Sequence, residues 1–159
     1  MSGMRAVLQR VLEGIVGTLL VGLVVVVVVG VVYRKLGNSL VWYDEIASIM
    51  LAWLTYYGAS LAALKRSHIG FPGLVEAAPP HLRRVLLIIA ELLVLGFFAL
   101  LAWMGFYVLQ VLEGDTLVSL PQVSVQITQS VIPIGACLFI VAQLASFPEV
   151  WRRSGAGRS

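Results

Sequence analysis

The run from Val11 to Tyr33 sets the first boundary on this chain, because it carries a single charge, Glu13, in more than twenty residues. At 1.5 Å of rise per residue a helix of that run is about 33 Å long, enough to cross the ~30 Å hydrocarbon core of a bilayer. The block Val24 to Val29 favours a strand in water. In lipid an isolated strand leaves its amides unpaired, so a spanning helix is expected instead. Arg5 and Arg10 precede the run as they would in a signal peptide, but its apolar core is too long and no small-x-small cleavage site follows before Tyr33-Arg34-Lys35.

Three more apolar runs follow, about Trp42 to Leu64, Val85 to Leu109 and Gln126 to Phe147. The expected fold is therefore all-α: a single membrane domain over residues 1–159 with four spans, about 11–33, 42–64, 85–109 and 126–147. Composition agrees, since 60% of residues are hydrophobic and only 12% charged, about half the charge of an ordinary soluble domain. Four spans and their connections leave no room for a separate soluble catalytic domain. The connections are a short turn at Gly37-Asn38-Ser39, a longer segment from Lys65 to Arg84 with Pro72, Pro79 and Pro80, and an acidic loop at Glu113-Gly114-Asp115. In the longer segment Phe71, Leu74, Val75 and Leu82 suggest an interfacial elbow between helices two and three.

Orientation follows from the basic residues outside the spans. Arg5, Arg10, Lys65, Arg66, Arg83, Arg84, Arg152, Arg153 and Arg158 share one side, against Arg34 and Lys35 on the other, which places both termini in the cytoplasm. Arg34 and Lys35 suit the carbonyl end of the first helix and are expected to pair with Asp44 or Glu45. The basic residues lack aromatic interleaving, so they point to membrane lipids and topology and not to nucleic acid.

Chemistry is sparse. Cys137 is the only cysteine, which excludes an internal disulfide or thiol pair and leaves it as a small packing residue. His68 and His81 fall in the connection between helices two and three, away from any site for a haem iron. No metal-ligand spacing, phosphate-binding glycine loop or Ser-His-Asp set is evident, so neither an enzyme nor a cofactor is expected. Asp44 and Glu45 open the second helix, where carboxylates suit the unpaired N–H groups, and form a candidate docking patch beside Trp42 and Tyr43. Neighbours in sequence point about 100° apart on a helix, so the two are ill placed to share a proton. Glu91 lies about two turns into the third helix and needs a partner helix, or a route towards Lys65 and Arg66.

Packing signals are stronger. Ser48, Ala52, Thr55, Ala59 and Ala63 make a small-residue stripe on helix two, and Gly14, Thr18 and Gly22 a similar row on helix one, suited to close helix contact within the chain or, as the alternative, with another subunit. Trp53 lies near the bilayer centre, where its indole N–H needs a buried acceptor. Pro133 interrupts helix four and frees a carbonyl, a kink that Ser130, Gln129 or a neighbour can satisfy. Transporters with broken helices use two interrupted segments in repeated halves, and only one interruption is present.

In order along the chain stand Trp42-Tyr43-Asp44-Glu45, Trp53-Leu54, Tyr57-Gly58-Ala59, Lys65-Arg66-Ser67-His68-Ile69, then Ser119-Leu120-Pro121-Gln122 and Ile132-Pro133-Ile134-Gly135. Over about Val16 to Trp151 this series resembles the small membrane subunit of tripartite ATP-independent periplasmic (TRAP) transporters, and it departs from that family at Gly70-Phe71-Pro72. The resemblance implies a non-enzymatic scaffold for a large multi-span membrane subunit in a sodium-driven importer of organic acids, such as dicarboxylates or sialic acids. A periplasmic binding protein would deliver the substrate, and sodium and substrate would be held by the large subunit. By the same resemblance Asp44, Glu45, Trp53, Gly58 and His68 are structural or interface residues. The rival reading is a self-sufficient, proton-coupled four-helix exporter working as a dimer, in which Glu91 would carry the proton.

Overall fold

The computed structural model describes residues 2–65 and 79–155. His68 and the elbow residues Phe71, Leu74 and Val75 lie outside the described residues. The helices are α1 (Ser2–Lys35), α2 (Tyr43–Lys65), α3 (Pro80–Val111), a short α4 (Val125–Gln129) and α5 (Val131–Gly155). No strand occurs among the described residues, only an isolated bridge between Thr116 and Ser124. Four segments, Arg5–Lys35, Tyr43–Lys65, Val85–Val111 and Val125–Ser146, are long and apolar enough to cross a membrane.

The helices stand in a row. α1 packs chiefly on α2, α2 on α5, and α5 on α3, giving the spatial order α1, α2, α5, α3. α5 is therefore the most enclosed: 39% of its apolar window is buried, against 6% in α1 and in α3. Lipid tails are as apolar as valine, so the outward faces of α1 and α3 need no cover, and packing geometry and polar contacts must hold the seams.

The tightest seam is near the start of α1. Leu12, Ala63, Leu64, Phe139 and Ala142 form a buried cluster from α1, α2 and α5, and α3 reaches it through Val94 and Phe98. The Phe98 and Phe139 rings stack with centroids 3.6 Å apart. Neighbouring helices meet the carbonyls of the last turn of α2: Ser146 Oγ, which donates to the Ala142 carbonyl of its own helix (2.6 Å), also reaches that of Ala63 (3.1 Å), and Arg5 Nη2 donates to that of Leu64 (2.9 Å). Lys65 pairs with Glu13 at 2.6 Å.

At the opposite end α1 stops at a left-handed glycine, Gly37, with φ +82°. The Asn38 N–H folds back to the Tyr33 carbonyl (3.1 Å), closing the helix end. Between α3 and α4 the chain turns at Gly114 (φ +92°) and forms a miniature hairpin. The Leu117 N–H donates to the Val123 carbonyl and the Val123 N–H to that of Leu120, with Pro121 at the turn position its fixed φ favours.

Candidate functional site

Among the described residues three further polar arrangements join the elements of the row, and the sequence-derived candidates fall on them unevenly. The first is the outer-loop latch. Glu45, in the first turn of α2, accepts the backbone N–H of Ser119 (2.8 Å) and of Val118 (3.2 Å), one on each carboxylate oxygen. The Ser119 hydroxyl donates to the Val41 carbonyl just before α2 (3.2 Å). The expected ion pair with Arg34 or Lys35 is thus replaced at Glu45 by two amides from a loop more than seventy residues away. Asp44 is exposed beside it.

The second arrangement is the interruption before α5. The fourth span expected from the sequence is two helices, separated at Ser130, with Pro133 buried in the first turn of α5, where its missing N–H costs least. Trp53 finds the acceptor its indole needs: Nε1 donates to the Thr128 carbonyl at 2.8 Å. Thr128 and Ser130 hydroxyls donate back to the Val125 and Ile127 carbonyls, and Ser124 caps the Gln126 N–H, so the short α4 is held by its own side chains. Two glycines let neighbours reach the interruption. A Cβ on Gly105 of α3 would lie 2.9 Å from Pro133 Cδ, and one on Gly135 of α5 would lie 2.7 Å from Tyr56 Cβ of α2. Ser60 bridges the same seam, donating to the Tyr56 carbonyl (3.0 Å) and reaching that of Gly135 (3.3 Å).

The third is Glu91. Its Oε2 accepts from Gln143 Nε2 of α5 at 2.9 Å, while Oε1 is buried without a hydrogen-bond partner. The expected route towards Lys65 is not taken, since Lys65 belongs to Glu13.

The small-residue stripes divide. Ala59 and Ala63 pack at the buried cluster, but Ser48, Ala52 and Thr55 are exposed on α2, so internal packing accounts for only the lower half of that stripe. Gly22 meets Met50, whereas a Cβ on Gly14 or on Gly58 would meet nothing within 4 Å. Cys137 is exposed and not a packing residue, because it faces away from both seams of α5. Gly30 against buried Tyr43, Gly105, Thr128, Gln143 and Ser146 escape the sequence reading, and Gly135 enters it only within the Ile132-Pro133-Ile134-Gly135 series. Only the hydroxyl cluster Thr128 to Ser130 ahead of Pro133 gave any signal of them.

Among the described residues no group of three His, Cys, Asp or Glu side chains is gathered as a metal site. What the row defines is a multi-pass helical membrane protein whose polar groups are spent on joining helices and a loop. The profile of the family described as tripartite ATP-independent periplasmic transporters, DctQ component, matches residues 23–153, and the chain belongs to that family. It is a small TRAP-transporter subunit, from a family of transporter components and not of enzymes. No curated protein matches the chain. The family assembles with a large membrane subunit and a periplasmic binding protein, so the dimeric exporter reading loses its support.

Proposed function

We propose that this chain scaffolds a large multi-span membrane subunit in a sodium-driven importer of an organic acid, dicarboxylate or sialic-acid-like, delivered by a periplasmic binding protein. On this reading it lies in the bacterial inner membrane with both termini cytoplasmic. It needs no cofactor, and sodium and substrate are held by the large subunit. The observation that carries the reading is the open row: α1 and α3 each pack chiefly on one neighbour, so the four helices do not close around a path. A row offers instead two broad faces and a pinned outer loop. Asp44, exposed beside the Glu45 latch, together with Trp53 and Pro133 at the interruption and Gly58 on the open face of α2, then serve shape and assembly.

The test is mild-detergent purification of the tagged chain from its native membrane, with mass spectrometry of what accompanies it. A larger multi-span protein at comparable abundance is expected. A chain that stays alone, or only with copies of itself after crosslinking in the membrane, would overturn the proposal.

A further inference from the structure

An open groove of about 560 Å³ runs along the α1–α2 seam, lined by Val11, Gly14, Ile15, Thr18, Leu19, Trp53 and Tyr57, with Arg10 at its mouth. Its size is that of a site for a small ligand. From Arg10 to Leu19 the helix rises about 14 Å, close to half of the ~30 Å hydrocarbon core, so the groove has the length of one leaflet. Gly14 gives it depth, since no atom lies within 4 Å of where a Cβ would stand. Trp53 and Tyr57 meet edge to face, with ring centroids 6.4 Å apart.

The charge at the mouth is placed for an anion. Among the described residues three cations, Arg5, Arg10 and Lys65, gather where α1 begins and α2 ends, and two are engaged: Arg5 donates to the Leu64 carbonyl, and Lys65 pairs with Glu13. Glu13 is the carboxylate next along α1 from Arg10, and its Oε1 is already held by Lys65 at 2.6 Å and by Gln9 at 3.0 Å. Arg10 is exposed. An apolar slot one leaflet long, with a guanidinium at headgroup level, matches one molecule: a phospholipid with an anionic headgroup, its acyl chain against Gly14 and Thr18. We infer that the α1–α2 groove binds an anionic phospholipid, Arg10 taking the phosphate and Trp53 lying beside the chain. That the lipid comes from the cytoplasmic leaflet rests on the orientation proposed above.

The test follows Trp53 fluorescence, read as the difference between the full chain and its Trp53→Phe variant, each with whatever membrane subunit accompanies it, in a Trp42→Phe, Trp103→Phe, Trp151→Phe background. Liposomes contain either phosphatidylglycerol or phosphatidylcholine with brominated acyl chains, diluted in unlabelled phosphatidylcholine. One arginine at an anionic surface corresponds to about a fivefold preference, so phosphatidylglycerol is expected to quench at about one fifth the mole fraction. Arg10→Gln should bring the two lipids to parity, and Arg10→Lys should keep most of the preference. Gly14→Leu, a side chain with room to stand in the groove, should reduce quenching by both. Equal quenching in the parent, or a preference that survives Arg10→Gln, would overturn the inference. So would a Trp53 that neither lipid reaches, since a protein helix would then fill the groove. Symmetric liposomes present the lipid to both leaflets, so the result does not depend on orientation. Failure to recover a larger subunit would be read separately, from the purification.

Discussion

Glu45→Gln probes the latch with little change of shape. The carboxylate serves two N–H groups at once, and the amide offers only one oxygen. That oxygen should keep Ser119, the shorter bond at 2.8 Å, and turn its NH2 towards the N–H of Val118, two donors that cannot pair. Hydrogen bonds to a charged group are stronger than neutral ones, but Val118 is exposed and its amide recovers water, so only part of that strength is lost. Local protection should fall by a factor of roughly 5 to 30. Hydrogen–deuterium exchange of a peptide covering residues 116–124, in micelles or nanodiscs, reads it directly. Exchange there should accelerate by that factor while peptides in α5 keep their rates. Asp44→Asn, exposed one residue away, should change nothing. If Glu45→Gln left the loop unchanged, or Asp44→Asn loosened it equally, the latch would not be what orders the loop.

Gly105→Ala places a methyl 2.9 Å from Pro133 Cδ and 3.0 Å from its nitrogen, so detergent-titration unfolding should show a loss within the ~1–3 kcal/mol range of overpacking. Gly96→Ala on the same helix meets nothing within 4 Å and should be neutral or stabilising, and two equal effects would refute the close approach at Pro133. Trp53→Phe removes one interhelical hydrogen bond and should cost about 0.6 to 1.7 kcal/mol in the same assay. Glu91→Gln keeps an acceptor for Gln143, so uptake by the assembled transporter should persist, and abolished uptake would reveal a proton carrier. Asp44→Ala with Glu45→Ala should lower uptake in cells without changing the preferred substrate, and a changed preference would count against the scaffold role.

How much could be read in advance depended on what lipid makes visible. The four apolar runs are plain because each must satisfy its own backbone in the bilayer, and Trp53 and Pro133 announce themselves as polar needs inside it. Their answers are not local. The Thr128 carbonyl lies 75 residues from Trp53, and the Ser119 amide 74 from Glu45. Neighbour order in the row was hidden for a related reason: seam and lipid are equally apolar, so periodicity does not mark which face of α1 meets α2. Glycines show the same limit. Gly58 and Gly105 look alike in sequence, yet one faces open space and the other Pro133.

The one-layer arrangement also constrains how this sequence can drift. In a globular protein most large aliphatic residues are fixed by neighbours on every side. Here Val21, Val24, Val25 and Val28 face outward along α1, and Leu92, Leu93 and Phe97 do so along α3. Any residue as oily as the bilayer will serve at those of them that face lipid and not the large subunit. Variation should therefore collect in the bulkiest, most hydrophobic parts of the chain, while the identities that cannot be exchanged are mostly small or polar: Gly30, Ser60, Gly105, Gly135 and Ser146. For such a protein, similarity measured over whole helices understates kinship that a few seam residues would preserve.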